Sequence, residues 1–321
     1  MTIKRAALLL GGAAIVALGV ADALYSRDLR AIHERVATGS TVVQTGHGAL
    51  EYATWGEGPA VLSIHGAGGG YDQGRLIAGA YGGEGFRWIS PSRFGYLRTP
   101  LPADASTAAQ ADAFADLLDA LSTSRVAILA MSGGVPPALQ FAERHPERIT
   151  ALVLLSSAPY TPLTAGDQKL PVPAWVYQAL FSSDFPYWML QKLAPSALEA
   201  VFDVTPALRA GLAPDEMGFV AGMNEAFQPV TERLGGLGNE GAAIDPGARY
   251  LLDRIAVPTL IVHAMDDHIN PFAVSRYTAE RIQGAAFMPL ATGGHLLLGH
   301  HAEVRAQVNA LLRTVGAGDR K

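Results

Sequence analysis

Cysteine is absent from the 321 residues, so the chain has no disulfide framework, no thiolate metal site and no lipid-modified cysteine anchor. Charge is scarce too, at 17% of residues, and the net value of −5 gives no electrostatic footprint for a nucleic-acid partner. No internal repeat or low-complexity tract stands out beyond the N-terminus. What the chain does hold is 49% hydrophobic residues, enough for a sizeable core, so disorder of the whole chain is excluded. It also holds 35 glycines, and many fall around chemically capable side chains.

Lys4 and Arg5 precede sixteen uncharged residues, Ala6 to Ala21, before Asp22 ends the run. As a helix these would span roughly 24 Å, short of the ~30 Å hydrocarbon core of a bilayer. Ala21-Asp22-Ala23 has the small-x-small form of a cleavage site. The segment reads as a secretory signal peptide, as an uncleaved N-terminal anchor with a charged tether from Tyr25 to Thr38, or as the apolar first helix of a cytosolic chain. The first two place the rest of the chain outside the cytoplasm, in the cell envelope or secreted, and give residues 6–21 a membrane association. Residues 1–40 are therefore set apart from the fold.

From Thr41 the pattern becomes regular. Thr41–Thr45 and Leu50–Trp55 read as a hairpin, followed by short apolar runs at 60–64, 86–89, 126–130 and 149–155. A helical pattern fills 105–121, and another runs from Gly134 to His145. Strands alternating with helices indicate an α/β fold with a mostly parallel sheet. From about Pro159 to Tyr250 the chain turns helical and proline-punctuated, with six of its 25 aromatics between Trp175 and Trp188. Alternation resumes at Thr259–Val262, with a helix over 271–282, a strand over 285–290 and a helix over 302–312. The expected organisation is a core of 41–158 and 253–315, interrupted by a helical cap at 159–252.

Four stretches carry chemistry. Ala130-Met131-Ser132-Gly133-Gly134 runs from a buried strand straight into a helix, the small-x-Ser-x-small form of an exposed nucleophile. Pro136 and Pro137, just after it, are expected to bend or delay that helix. His65-Gly66-Ala67-Gly68-Gly69-Gly70 ends another strand, where backbone N–H groups suit a developing oxyanion. A phosphate-binding turn is the rival reading, yet neither G-x-G-x-x-G nor G-K-[ST] is present, and His65 reads as a packing residue. Asp266 and Asp267 follow the strand at 259–262, and Gly293-Gly294-His295 follows the next. Ser132, Asp267 and His295 thus give the chain order Ser…Asp…His, each just past a strand.

On these residues the chain resembles the α/β-hydrolase superfamily, of the capped, esterase-like or C–C-hydrolase-like kind. The likeness spans roughly Thr41 to Thr314. It departs at Ser92-Arg93-Phe94-Gly95-Tyr96-Leu97-Arg98-Thr99, where the family's D-x-x-G-x-G-x-S keeps only Gly95 of its glycines, and at Ala130, where glycine is usual. The resemblance implies a sheet flanked by helices with the cap after the sixth strand. It also implies a triad of Ser132, Asp267 and His295, with Asp266 as the alternative acid. The oxyanion donors would be the amides of Ala67 and Gly133, and no metal or cofactor is needed.

A serine nucleophile disfavours the dehalogenase and epoxide hydrolase members, which attack with a carboxylate. Ester hydrolysis on a small to medium apolar substrate comes first, then C–C, thioester or lactone hydrolysis, then a ligand-binding protein with an idle triad. Gly66, Met131, Trp175, Phe181 and Trp188 are the expected substrate contacts, the aromatics as an apolar roof. Oligomeric state is left open by the sequence.

Overall fold

The computed structural model describes residues 3–163 and 174–318. Residues 164–173 of the expected cap, with Pro171 and Pro173, lie outside the described residues.

Eight strands form one sheet in the order β1-β2-β4-β3-β5-β6-β7-β8. Their ranges are β1 Thr41–Thr45, β2 Gly48–Trp55, β3 Ala60–Ile64, β4 Arg87–Pro91, β5 Val126–Met131, β6 Ile149–Leu155, β7 Thr259–Ala264 and β8 Ala286–Leu290. The β1–β2 and β2–β4 pairs are antiparallel; every other pair is parallel. A parallel strand covered on both faces is apolar at most positions, which is why β5 reads as an unbroken hydrophobic run and β7 carries only Thr259 and His263 besides its apolar residues. Their side chains nevertheless divide by parity. Ala127, Leu129 and Met131 enter one core and Val126, Ile128 and Ala130 the other.

The second core is closed by α3 (Thr107–Ala120), α4 (Val135–Arg144) and α11 (Phe272–Arg281). Ser106 caps α3, its Oγ accepting the Ala109 N–H at 3.1 Å. The first core is closed by α2 (Tyr71–Tyr81), α12 (His301–Gly318) and the cap. The helix α2 has no counterpart in the sequence reading, because Gly74 and Gly79 dilute its pattern. Gly74 is there for space: a Cβ would stand 2.1 Å from Ser90 Oγ and 2.8 Å from Ser63 O, so the helix rests directly on β3 and β4.

The described part of the cap carries α5 (Ala174–Leu180), α6 (Asp184–Leu193), α7 (Pro195–Glu199), α8 (Pro206–Ala210), α9 (Pro214–Glu225) and α10 (Leu234–Gly238). It lies between β6 and β7, after the sixth strand, and Phe219 of α9 meets the Tyr81 ring edge-on at 5.8 Å.

The N-terminal stretch behaves differently from a tether. Residues 3–38 form one helix, α1 (Ile3–Thr38), and its second half is docked. Tyr25 packs on Phe185 and Trp188 of α6, and Asp28 accepts from Trp188 Nε1 at 3.1 Å and pairs with Lys192 at 2.9 Å. Val36 is buried, and Arg35 reaches both Asp72 Oδ2 and Gln228 O at 2.8 Å. Alternating charges in this stretch are thus ion-pairing positions against cap and core. Among the described residues no helix is long and apolar enough to cross a membrane.

Candidate active site

Ser132 stands where β5 ends and a single 3₁₀ turn, Ser132–Gly134, leads into α4. Its φ of +53° is a left-handed conformation that costs a non-glycine residue about 1–3 kcal/mol and is held by the surrounding structure. Small neighbours make that possible. Ala130 is fully buried, and a Cβ at Gly134 would stand 2.6 Å from the His65 carbonyl oxygen. Pro136 and Pro137 do not distort α4, because they fall in its first turn, where N–H groups have no intrahelical acceptor to lose.

The acid and the histidine come from the ends of β7 and β8. His295 Nδ1 lies 2.9 Å from Asp267 Oδ2. Asp267 Oδ1 accepts the N–H groups of Ile269 and Asn270 at 2.8 and 2.9 Å. A second imidazole, His263, also reaches Asp267 Oδ2, at 3.2 Å, and is itself fixed by Ser275 Oγ at 2.6 Å. Burial alone would raise the Asp267 carboxyl. The His295 charge and the donors from His263 and His295 outweigh it and hold the group well below the usual carboxylate range.

Asp266 has a separate task. Its two oxygens accept the N–H groups of Gly294 and Gly293 at 2.9 and 3.2 Å, clamping the loop that presents His295. Both glycines have positive φ there, +131° at Gly293 and +56° at Gly294. Of the two candidate acids, Asp267 is the one facing the imidazole.

Ser132 Oγ does not hydrogen-bond His295 in this state. It accepts from Asn270 Nδ2 at 3.3 Å, while the same amide group donates to Ser156 O at 2.8 Å. An oxygen that accepts from Asn270 keeps its own proton free to turn towards a base, and such contacts often tighten only with substrate bound. Asn270 escaped the sequence reading although it lies three residues beyond Asp267. A neutral amide in a turn carries no signal of its own.

The glycine-rich loop after β3 is pinned by hydrogen bonds from several elements. His65 is fully buried, donates through Nδ1 to Gly66 O at 2.7 Å and accepts the Arg93 N–H through Nε2 at 2.9 Å. Burial and the nearby Arg93 charge push its pKa well below the ordinary imidazole value, so it is a neutral packing residue. Gln73 Oε1 takes the Gly66 N–H, Tyr96 Oη takes the Gly68 N–H, and buried Arg233 of the cap donates to Gly69 O at 2.6 Å. Arg93 donates to Gly66 O at 3.0 Å.

A cleft of about 170 Å³ opens beside the serine, lined by Ala67, Arg93, Ser132, Gly133, Glu240 and Ile269 among others. Gly66 is close enough that a Cβ there would be 3.1 Å from Ser132 Cβ. The other expected substrate contacts are elsewhere. Met131 points into the core at 2% exposure, because the strand alternation turns it away from the serine's side. Trp175 is 72% exposed on α5, and Trp188 faces α1. Phe181 is buried against Phe227, whose ring closes over Gly68. The aromatic cluster therefore joins cap, α1 and loop, and none of the three lines the cleft. In their place stand Arg93 and Glu240, which carried no sequence signal as a pair because 147 positions separate them.

Residues 59–302 match the family described as alpha/beta hydrolase fold. The chain is 30% identical over 267 residues to the uncharacterized hydrolase YcgS of Bacillus subtilis, covering 78% of this chain and 89% of that protein. It is 30% identical over 256 residues to a 2-hydroxymuconate semialdehyde hydrolase of Pseudomonas putida, covering 77% and 84%. Among solved structures, an alpha/beta hydrolase fold protein from Nakamurella multipartita superposes with a TM-score of 0.75 at 29% identity, covering 85% of this chain and 99% of that one. With these strand ends, this elbow and these relatives, the chain belongs to the α/β-hydrolase family and is a hydrolase.

Proposed function

We propose that the chain is a serine hydrolase working through an acyl-enzyme, and that its reaction is carboxylester hydrolysis on a small substrate. The observation that carries this reading is the Asp267–His295 hydrogen bond at 2.9 Å beside a serine held at φ +53°. His295 Nε2 takes the Ser132 Oγ proton, and Oγ attacks the ester carbonyl carbon. The resulting oxyanion meets the backbone N–H groups of Ala67 and Gly133, each worth about 3–4 kcal/mol in the transition state. Collapse expels the alcohol, which receives the proton from His295. Water then gives a proton to the same imidazole, attacks the acyl carbon, and releases the acid and free Ser132. Asp267 stays ionised throughout and stabilises the imidazolium.

The Pseudomonas putida relative supports a second reading, cleavage of a C–C bond in a vinylogous ketone on the same residues. A panel of nitrophenyl esters of rising acyl length, run beside a dienoic diketone, separates the two. Turnover of short esters in the native chain and its loss in Ser132→Ala is the expected result. Diketone cleavage without ester turnover favours the second reading, and turnover undiminished in Ser132→Ala rejects both.

The N-terminal run leads us to propose export, with residues 6–21 either removed or retained as a membrane-associated segment. Fractionating cells that express the full chain, followed by N-terminal sequencing, tests this. A soluble cytoplasmic chain that retains residues 6–21 would contradict it.

A further inference from the structure

The cleft wall carries a buried ion pair that the hydrolytic scheme leaves idle. Arg93, just past β4, is 8% exposed. Its Nη2 donates to Glu240 Oε1 at 2.5 Å and to Gly66 O, and its Nη1 lies 3.4 Å from Glu240 Oε2. Its Nε is buried without a hydrogen-bond partner. Glu240 also accepts from Tyr96 Oη and retains 24% side-chain exposure. The cation thus belongs to the core, while its anion is supplied by the cap, from the 3₁₀ turn Glu240–Ile244.

The location matters more than the pairing. A Cβ at Gly133 would stand 2.3 Å from Glu240 Oε2 and 3.2 Å from Arg93 Nη2. The Glu240 carboxylate therefore covers the backbone next to the nucleophile, on the wall of the same cleft that Ser132 lines. With it in place the cleft holds about 170 Å³, below the ~300–1,000 Å³ of ordinary ligand sites. Withdrawing two charges from water is expensive, and apolar residues of like size commonly stabilise a fold as well. A guanidinium is moreover the planar, two-pronged donor that matches a carboxylate.

We propose that Arg93 recognises a carboxylate on the substrate, and that Glu240 is a resident counter-ion which the substrate's carboxylate replaces. The inference rests on the serine-hydrolase reading and names its substrate class: half-esters of short dicarboxylic acids, with the free carboxylate a few bonds from the scissile carbonyl. Exchange of one carboxylate for another keeps the buried guanidinium neutralised, while Glu240, already partly exposed, moves towards water. No new bond-making step is involved. The expected apolar substrate is thereby replaced by an anionic one, in keeping with a cleft that Trp175, Phe181 and Trp188 do not line.

Calorimetric titration of the full chain carrying Ser132→Ala, with methyl hydrogen succinate and with methyl butyrate as probes, reads binding without turnover. The half-ester should bind about tenfold or more tightly than the neutral ester. Adding Arg93→Met should abolish that preference, Arg93→Lys should keep part of it, and Glu240→Gln should tighten half-ester binding several-fold. Thermal melts report whether each variant folds. Should Arg93→Met fail to fold, the Glu240→Gln arm decides: tighter half-ester binding supports the inference, and unchanged or weaker binding overturns it. Equal affinity for the two probes, or a preference that survives in folded Arg93→Met, also overturns it. Selective, Arg93-dependent binding in a chain that never turns over esters would remove the hydrolase reading and leave the carboxylate site. Ester hydrolysis without selectivity would do the reverse.

Discussion

On the sheet side of the cleft, Ser132, Asp267 and His295 stand just past the ends of β5, β7 and β8, where local backbone conformation and short side chains such as Asp266 hold them. Positive φ at Ser132 and at both loop glycines, together with the N–H groups of residues 269 and 270 on Asp267, come from within a few positions of each group. On the cap side the holding groups are long charged side chains reaching across the chain. Arg233 grips Gly69 O and Asp72, and Arg93 grips Glu240 and Gly66 O. One side is built from strand ends and small residues, the other from buried ion pairs. The sheet side fixes reacting atoms, whereas the cap side fixes the loop and the shape of the space beside it.

That contrast can be broken at either side. Asp267→Asn should cost the most, about 10⁴-fold in kcat with little change in fold, because an amide cannot stabilise the imidazolium. Steady-state kinetics beside a melting curve would check it, and a loss below tenfold would move the acid elsewhere. Arg233→Met should act on stability first. It leaves the buried Asp72 carboxylate without its main partner, a loss of about 3–5 kcal/mol in urea unfolding. A variant as stable as the native chain would show that the cap does not lean on this pair.

The pH dependence sharpens the same division. Folded His65 stays neutral, whereas in the unfolded chain it takes up a proton below about pH 6.5. The unfolded state therefore gains protons as pH falls, and stability drops on acidification through that range. His65→Asn should flatten this part of the melting profile, and an unchanged slope would contradict the assignment. The smallest effect is expected for Arg35→Ala. Its side chain is 41% exposed, so the pair with Asp72 contributes no more than about 1 kcal/mol. A larger loss would mean that α1 carries more of the fold than its contacts suggest.

The same division explains what was legible in the sequence. β5 is uniformly apolar, and β6 and β7 depart from that only at Thr150, Thr259 and His263, because both faces of a parallel sheet are covered; the ends of β5 and β7 announce Ser132 and Asp267. The order of the triad residues followed from those ends. The helix α2 was hidden because Gly74 serves close packing against β3 and β4 at the expense of helix propensity. Residues 25–38 looked like a tether because the partners of Tyr25, Asp28 and Arg35 lie in α2 and the cap, more than thirty positions away. Trp175 and Trp188 looked like a pocket roof because composition gives apolar content without direction. Arg93 and Glu240 are the same problem in charged form: each is an ordinary residue until the cap folds over the sheet.

The central claim is that Ser132 is the nucleophile, and intact-mass analysis after exposure to a fluorophosphonate tests it most directly. One phosphonyl group on the native chain, mapped to Ser132 by peptide sequencing and absent from Ser132→Ala, is the predicted result. No adduct on the folded native chain, or an adduct that persists in Ser132→Ala, would contradict it.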